Sequence, residues 1–266
     1  MATIHPRYVR IPVKTDLRFG RLEGDKVLLL DRAPWLGGAP TGETVAAGAG
    51  HALAPVEPSK IVAVGSNYRA HAAEMGKEIP AEPVIFLKPP SAVVGPGAAI
   101  VRPEGYERTD FEGELAVVMG RRARRVTAKD ALTYVFGYTI LNDVTVRDLQ
   151  KRDGQFTRAK GFDTFCPIGP VVVGGDGKDG TSIDPGNLTL RTRVNGALKQ
   201  ESSTSDLIFD VPTLISFISG VMTLEPGDVI ATGTPSGVGP IAPGDRVEIE
   251  IDVIGVLANP VVAPET

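Results

Sequence analysis

The sequence predicts an α+β, β-rich fold, with a small N-terminal β module ahead of a larger domain. Three observations predict it. Thirty-one glycines and 22 prolines are spread through 266 residues, so the apolar runs are short and many turns must separate them. Asn195-Gly196 stands between two strand-like segments and supplies the positive φ angles that a two-residue hairpin turn demands. Helical character is confined to a handful of short stretches. A chain of this length buries a large core, as one domain or as one domain with a small appendage.

In chain order, residues 17–22 and 26–31 read as strands joined by the tight turn Glu23-Gly24-Asp25, and they open a module over 1–57. Residues 37–58 are rich in Gly, Ala and Pro and only weakly periodic, which predicts a connector with one short helix at 43–49. The larger domain, 58–266, starts with a buried strand over 60–65. Ser66 and Asn67 can then cap a helix running through Arg69, His71, Ala72, Glu74 and Met75, which Gly76 ends. Strands follow at 84–88, around 98–102 and at 113–119, then a solvated basic turn at 121–125, a helix over 128–134 and a strand over 137–141. Residues 144–151 are helical in character, 170–173 form a strand, and 174–180 read as a plain turn. Residues 188–194 and 197–202 flank the Asn-Gly turn as a hairpin. Residues 211–220 fit an apolar helix with Pro212 in its first turn, where the missing N–H costs nothing. Pro-Gly-Asp turns at 226 and 243 introduce strands over 229–232 and 247–253.

Composition narrows the function. A formal charge of −4 without a basic stripe argues against nucleic acid and for a small soluble ligand. The single cysteine, Cys166, forms no internal disulfide, and the N-terminus lacks the basic-then-apolar pattern of a signal peptide, so a cytoplasmic protein is expected. Gly, Pro or a charge interrupts every apolar run before it could cross a bilayer, so no membrane partner is expected.

Glu112 and Glu114 lie two apart in a strand-like segment, so both side chains leave one face, roughly 6.5–7 Å apart at the backbone. Two acids so held either face solvent or share a cation, and oxygen-only ligation suits Mg²⁺ or Mn²⁺. Asp143 ends the strand before it and is a candidate third ligand, although a strand-end Asp can also bond its own turn. His71 and Glu74 share a helix face, either as a surface pair or as a dyad in which the carboxylate orients the imidazole to activate water. Lys160, between small residues and followed by aromatics, suits neutralisation of an anionic substrate or a developing oxyanion. Arg147 and Gln150 sit three apart just past Asp143, where an arginine can clamp a carboxylate. Taken singly, each of these three is more often an ordinary surface residue. The loop from Thr232 to Pro240 is glycine-rich with hydroxyls and can present backbone N–H groups to an anion, but it lacks the Gly-Lys-Ser/Thr ending of a P-loop.

Together, Gly65-Ser-Asn-Tyr-Arg-Ala-His71-Ala-Ala-Glu74, Phe111-Glu112-Gly-Glu114-Leu-Ala-Val-Val, Asn142-Asp143-Val-Thr-Val-Arg147-Asp, Lys160-Gly-Phe-Asp, Asn195-Gly with Ser203-Thr-Ser-Asp-Leu-Ile-Phe209, and Thr232-Gly-Thr-Pro-Ser-Gly-Val-Gly resemble the fumarylacetoacetate hydrolase family, in order, over about 58–255. The resemblance implies a mixed β-roll or sandwich core, often with a small N-terminal module, and a homodimer. It implies Mg²⁺ or Mn²⁺ on Glu112, Glu114 and Asp143, a water-activating dyad of His71 and Glu74, and a substrate site lined by Arg147, Gln150, Lys160 and Thr232. The expected substrate is a 2-oxo acid that chelates the ion, and the expected reaction is hydrolysis of an acylpyruvate to pyruvate and a carboxylic acid through an enolate that the metal stabilises. An oxaloacetate-type decarboxylase or a 2-hydroxyhepta-2,4-diene-1,7-dioate isomerase uses the same parts. A non-catalytic metal-binding scaffold is the alternative of another class.

Overall fold

Short apolar runs bounded by glycine and proline become strands throughout the computed structural model, which describes residues 5–48, 53–74, 76, 78–174 and 183–265. Strands β1 (Arg7–Val13), β2 (Asp16–Glu23), β3 (Lys26–Leu30) and β4 (Pro40–Ala46) form an antiparallel meander. Next come β5 (Ile61–Gly65), helix α1 (Arg69–Glu74), β6 (Val84–Lys88) and the short strands β7 (Val93–Val94), β8 (Ile100–Val101) and β9 (Thr109–Phe111). The middle of the chain holds β10 (Gly113–Met119), β11 (Val135–Asn142), β12 (Thr145–Val146), helices α2 (Arg147–Asp153) and α3 (Thr157–Lys160), and β13 (Cys166–Gly174). The remainder is β14 (Thr189–Val194), β15 (Ala197–Ser203), α4 (Val211–Val221), β16 (Val229–Ala231), β17 (Gly239–Pro240), β18 (Arg246–Ile251) and β19 (Gly255–Val262).

The main sheet runs β4-β3-β2-β1-β13-β11-β10-β16-β5-β6, with β7 added beside β13. It is mixed, because β16 pairs with β5 in parallel while β10 and β11 run antiparallel. A second sheet, β15-β14-β18-β19-β8, packs across β10, β11 and β13, and a third, β12-β9-β17, is small. The central strands are therefore buried on both faces, which explains their nearly continuous apolar sequence. Leu115, Val117 and Met119 of β10 enter one apolar cluster with Ile249 and Leu257; Ala116 and Val118 enter another with Trp35 and Val172. The β-rich α+β expectation stands. Strand β1 pairs with β13, so residues 7–46 extend the main sheet, and Trp35 seals the contact edge-on against Phe136 at 5.9 Å. No described helix is long and apolar enough to cross a membrane.

Three local expectations change. The helix expected at 43–49 is strand β4 as far as Ala46; its one half-buried residue, Val45, faces Val27 of β3, and a helix there would have no apolar stripe to bury. Ala49 lies outside the described residues, as do Met75 and the turn expected past Gly174. The helix expected over 128–134 shrinks to a 3₁₀ turn, Ala131–Tyr134, where Asp130 accepts from the Thr127 and Thr133 hydroxyls and competes with helical bonding. The segment over 144–151 splits into β12 and α2, because Thr145 and Val146 pair with β9 before the chain turns helical. The helix at 69–74 forms without the Ser66-Asn67 cap: the Asn67 side chain instead donates to the carbonyls of Phe209 and Thr232, at 3.0 and 2.8 Å.

Candidate active site

Glu114 lies in β10 with the parity of Ala116 and Val118, whereas Glu112 occupies the single residue between β9 and β10. Asp143 follows the last residue of β11, whose Asn142 stands opposite Gly113. Two hydrogen bonds of 2.9 Å set the break: the Glu112 N–H donates to Asn142 Oδ1, and the Asp143 N–H donates to the Glu112 carbonyl. The result is convergence. One carboxylate oxygen from each of Glu112, Glu114 and Asp143 lies within 4.8 Å of the others, and all three residues are buried.

Two lysines enter the same place. Lys160, at the end of α3, donates to Asp143 Oδ2 at 2.5 Å, Glu112 Oε2 at 2.8 Å and Thr145 Oγ1 at 2.8 Å, which uses all three of its N–H groups. Lys88, the last residue of β6, donates to Asp143 Oδ1 and to the Lys160 carbonyl, both at 2.6 Å. Burial opposes the Lys160 charge, but Asp143 and Glu112 outweigh it and raise the ammonium above its ordinary value. Burial likewise works to raise the Glu112 carboxyl; Lys160 and Arg147 prevail and hold it well below the usual carboxylate range. Glu114 behaves differently. Its Oε2 accepts the Gly233 N–H at 2.8 Å, and no lysine or arginine pairs with it among the described residues. Burial, then repulsion from Asp143 and Glu112, pushes its carboxyl far above the ordinary value.

Arg147, in the first turn of α2, is held on several sides. Its Nε donates to Asp110 Oδ2 at 2.8 Å, its Nη1 donates to Gln150 Oε1 at 2.9 Å, and its Nη2 lies 2.6 Å from Glu112 Oε1. On α1, His71 Nδ1 lies 3.1 Å from Glu74 Oε2, and the N–H of Gly237 donates to Glu74 Oε1 at 3.1 Å. The glycine-rich loop therefore does present N–H groups to anions, and the anions are Glu74 and Glu114.

A cavity is lined by His71, Glu112, Glu114, Asp143, Arg147, Gln150 and Lys160, so the structure brings these sequence-predicted residues to one place. Glu74 does not line the cavity and meets it only through its contact with His71. Thr232 is not at the cavity: its hydroxyl donates to the Leu115 carbonyl at 2.9 Å and it is fully buried. That corrects its placement among the lining residues. The lining threonine is Thr234, oriented by Gln200, whose Nε2 donates to its Oγ1 at 2.7 Å. In a strand-to-loop segment, alternation makes residues two apart equivalent until the backbone turns, and Gly233, with φ near +100°, turns it here. Sequence reasoning also missed Lys88, Asp110 and Asn142. A faint signal existed for Lys88 alone, a lysine closing the apolar run Val84-Ile-Phe-Leu ahead of two prolines.

The donor set fits a hard divalent ion: three buried carboxylates supply oxygen alone, and the crowding of Glu114 by Asp143 and Glu112 is what a divalent cation would relieve. Comparison with known proteins agrees. A family profile described as fumarylacetoacetate (FAA) hydrolase C-terminal matches residues 60–262, and one described as Rv2993c-like, N-terminal, matches 7–55. Oxaloacetate tautomerase YisK of Bacillus subtilis is 48% identical over 79% of this chain and 71% of its own length. The crystal structure of 2-hydroxyhepta-2,4-diene-1,7-dioate isomerase from Mycobacterium marinum is 46% identical, with a TM-score of 0.88 over 98% of this chain and 100% of that one. Maleylpyruvate hydrolase from Sphingobium sp. SYK-6, in complex with manganese (II) ion and pyruvate, is 33% identical, with a TM-score of 0.77 over 97% of this chain and 100% of that one.

Proposed function

This chain is an enzyme of the fumarylacetoacetate hydrolase family, and we propose that it acts on a 2-oxo acid through its enol, hydrolysing an acylpyruvate to pyruvate and a carboxylic acid. The observation that supports the reading is that His71, bonded to Glu74, and the acid trio line one cavity. Glu112, Glu114 and Asp143 would hold Mg²⁺ or Mn²⁺, which would supply Lewis acidity for negative charge developing on a 2-oxo group.

The protein's own residues do the rest. Arg147, steadied by Gln150, offers its guanidinium to the substrate carboxylate. Lys160 and Lys88 offset the charge of Asp143 and Glu112. Glu74, anchored by the Gly237 N–H, orients the imidazole through Nδ1, so Nε2 is the atom that takes a proton from water. Attack of that water on the 4-oxo carbon breaks the bond between C3 and C4. The bond's electrons leave as the pyruvate enolate, and the proton returns to C3.

A second reading has its own support: relatives named as a tautomerase and an isomerase, at 48% and 46% identity, stand nearer than the hydrolase at 33%. In that reading His71 only moves a proton between carbon and oxygen, and no bond between carbons breaks. The non-catalytic scaffold finds no support in a cavity that gathers base, cations and acids. Pyruvate release from acetylpyruvate or fumarylpyruvate, with oxaloacetate in parallel, is the test. Release of pyruvate from the former supports hydrolysis; loss of the enol absorbance of oxaloacetate without pyruvate or CO₂ supports proton transfer; no change in either overturns the enol chemistry. A homodimer belongs to the same proposal, and light scattering of the purified protein tests it.

A further inference from the structure

Asp110 is fully buried in β9, stands apart from the trio that converges on the candidate ion site, and takes two arginines. Arg108 donates through Nε to Oδ1 at 2.7 Å and through Nη2 to Oδ2 at 2.9 Å, while Arg147 donates through Nε to Oδ2 at 2.8 Å. The backbone reinforces this clasp. Asp110 pairs with Thr145 of β12 on one side and Pro240 of β17 on the other, and the Arg147 N–H donates to the Arg108 carbonyl at 2.9 Å.

One buried acid facing one arginine makes a pair of no net charge, which attracts an anionic ligand less than an arginine whose acid is shared. Here Arg108 shares Asp110, and Lys160 shares Glu112, so neither acid next to Arg147 is neutralised by Arg147 alone. Arg147 lines the cavity, and its Nη2 forms an ion pair with Glu112 Oε1, an acid that Lys160 also holds. A guanidinium whose acids are shared with other cations keeps positive charge for a carboxylate arriving from outside.

We infer that Asp110 is a positioning residue that aims Arg147 into the cavity, and that Arg108 is the counter-charge that keeps Arg147 available to an anionic ligand. The inference rests on the proposed reading of Arg147 as the carboxylate clamp, and the test separates the two. The probes are Mg²⁺ alone and oxalate added to the Mg²⁺-loaded protein, both by isothermal titration, beside thermal melts and steady-state kinetics. Asp110→Asn is expected to weaken oxalate by about tenfold or more, because a charge-assisted bond that orients the guanidinium is lost. Its Mg²⁺ affinity stays near wild type while the melting temperature falls, because the buried Arg147 loses a charged partner, and KM rises more than kcat falls. Arg108→Gln, at a side chain 49% exposed, is expected to fold normally and to weaken oxalate about threefold.

Should Asp110→Asn lose Mg²⁺ along with oxalate, its role is support of the whole site and the inference is overturned. Wild-type oxalate binding in both Asp110→Asn and Arg108→Gln, with binding lost in Arg147→Ala, overturns the inference and leaves the clamp standing. Normal oxalate binding by Arg147→Ala removes the clamp, and the inference with it. If Asp110→Asn does not fold, Arg108→Gln decides alone, and unchanged oxalate affinity there overturns the inference.

Discussion

Lys88 Nζ lies 2.6 Å from Asp143 Oδ1, and the two side chains are 0% and 1% exposed. Lys160 holds the other oxygen, so one buried carboxylate joins two buried ammonium groups contributed by β6 and α3. Removing one partner of such a pair leaves a charge uncompensated in a poorly solvated place. Lys88→Met is expected to lower unfolding stability by about 3 kcal/mol in metal-free buffer. Mg²⁺ should restore more stability in the variant than in wild type, because the ion replaces part of the missing positive charge. Denaturant titrations with and without Mg²⁺ check this, and equal stability in chelator would count against it.

Glu114 sets a pH dependence of known sign. Its folded-state pKa lies above the unfolded value of about 4.3, so the stability it contributes is present at acid pH and is lost as pH rises through the raised value. Glu112 works oppositely: it contributes above its ordinary value and loses that contribution only as pH falls through its depressed one. Metal-free protein should therefore weaken on the alkaline side of the Glu114 transition, and Mg²⁺ binding below that transition should release a proton. Glu114→Gln is expected to abolish both effects and to lower Mg²⁺ affinity by more than about tenfold. Titrations in buffers of different ionisation enthalpy report the proton count.

His71→Ala should retain Mg²⁺ binding while kcat falls by about 10²–10⁴-fold, the range for loss of a positioned general base. Calorimetry and turnover on one preparation give both numbers. Normal turnover would remove the dyad from the mechanism.

Gly233 has φ near +100°, and a Cβ there would stand 2.8 Å from the Asn67 Cβ. Gly233→Ala is expected to cost about 1–3 kcal/mol of stability through backbone strain. It should also displace the N–H that Glu114 accepts, and so weaken metal binding. Thermal melts and Mg²⁺ titration are the measurements; wild-type behaviour in both would show that the loop accommodates the side chain.

The local pattern sufficed where a feature depends on neighbours in the chain. The hairpin at Asn195-Gly196 forms with φ of +51° and +79° at those two residues, and α4 starts one residue before Pro212 with Asp210 capping it. It failed at β4, where pairing with β3 rather than any periodicity of its own makes the strand. The acids were legible because two of them stand two apart in a strand-like segment, although only Glu114 lies within β10. Lys88 was not, since it meets Asp143 across 55 positions of sequence.

By itself the sequence determined the strand-rich class and the hairpin, because these follow from backbone period and turn chemistry, and it offered Glu112, Glu114, Asp143, His71, Glu74, Lys160, Arg147 and Gln150 as candidates that the family resemblance joined into one set. Only the tertiary structure decided that Thr234 and not Thr232 reaches the cavity, that Lys88 closes the charge balance, and that Asp110 joins two arginines. Those outcomes depend on which distant strands pair, and the burial of charge that follows from pairing has no local signature in the chain.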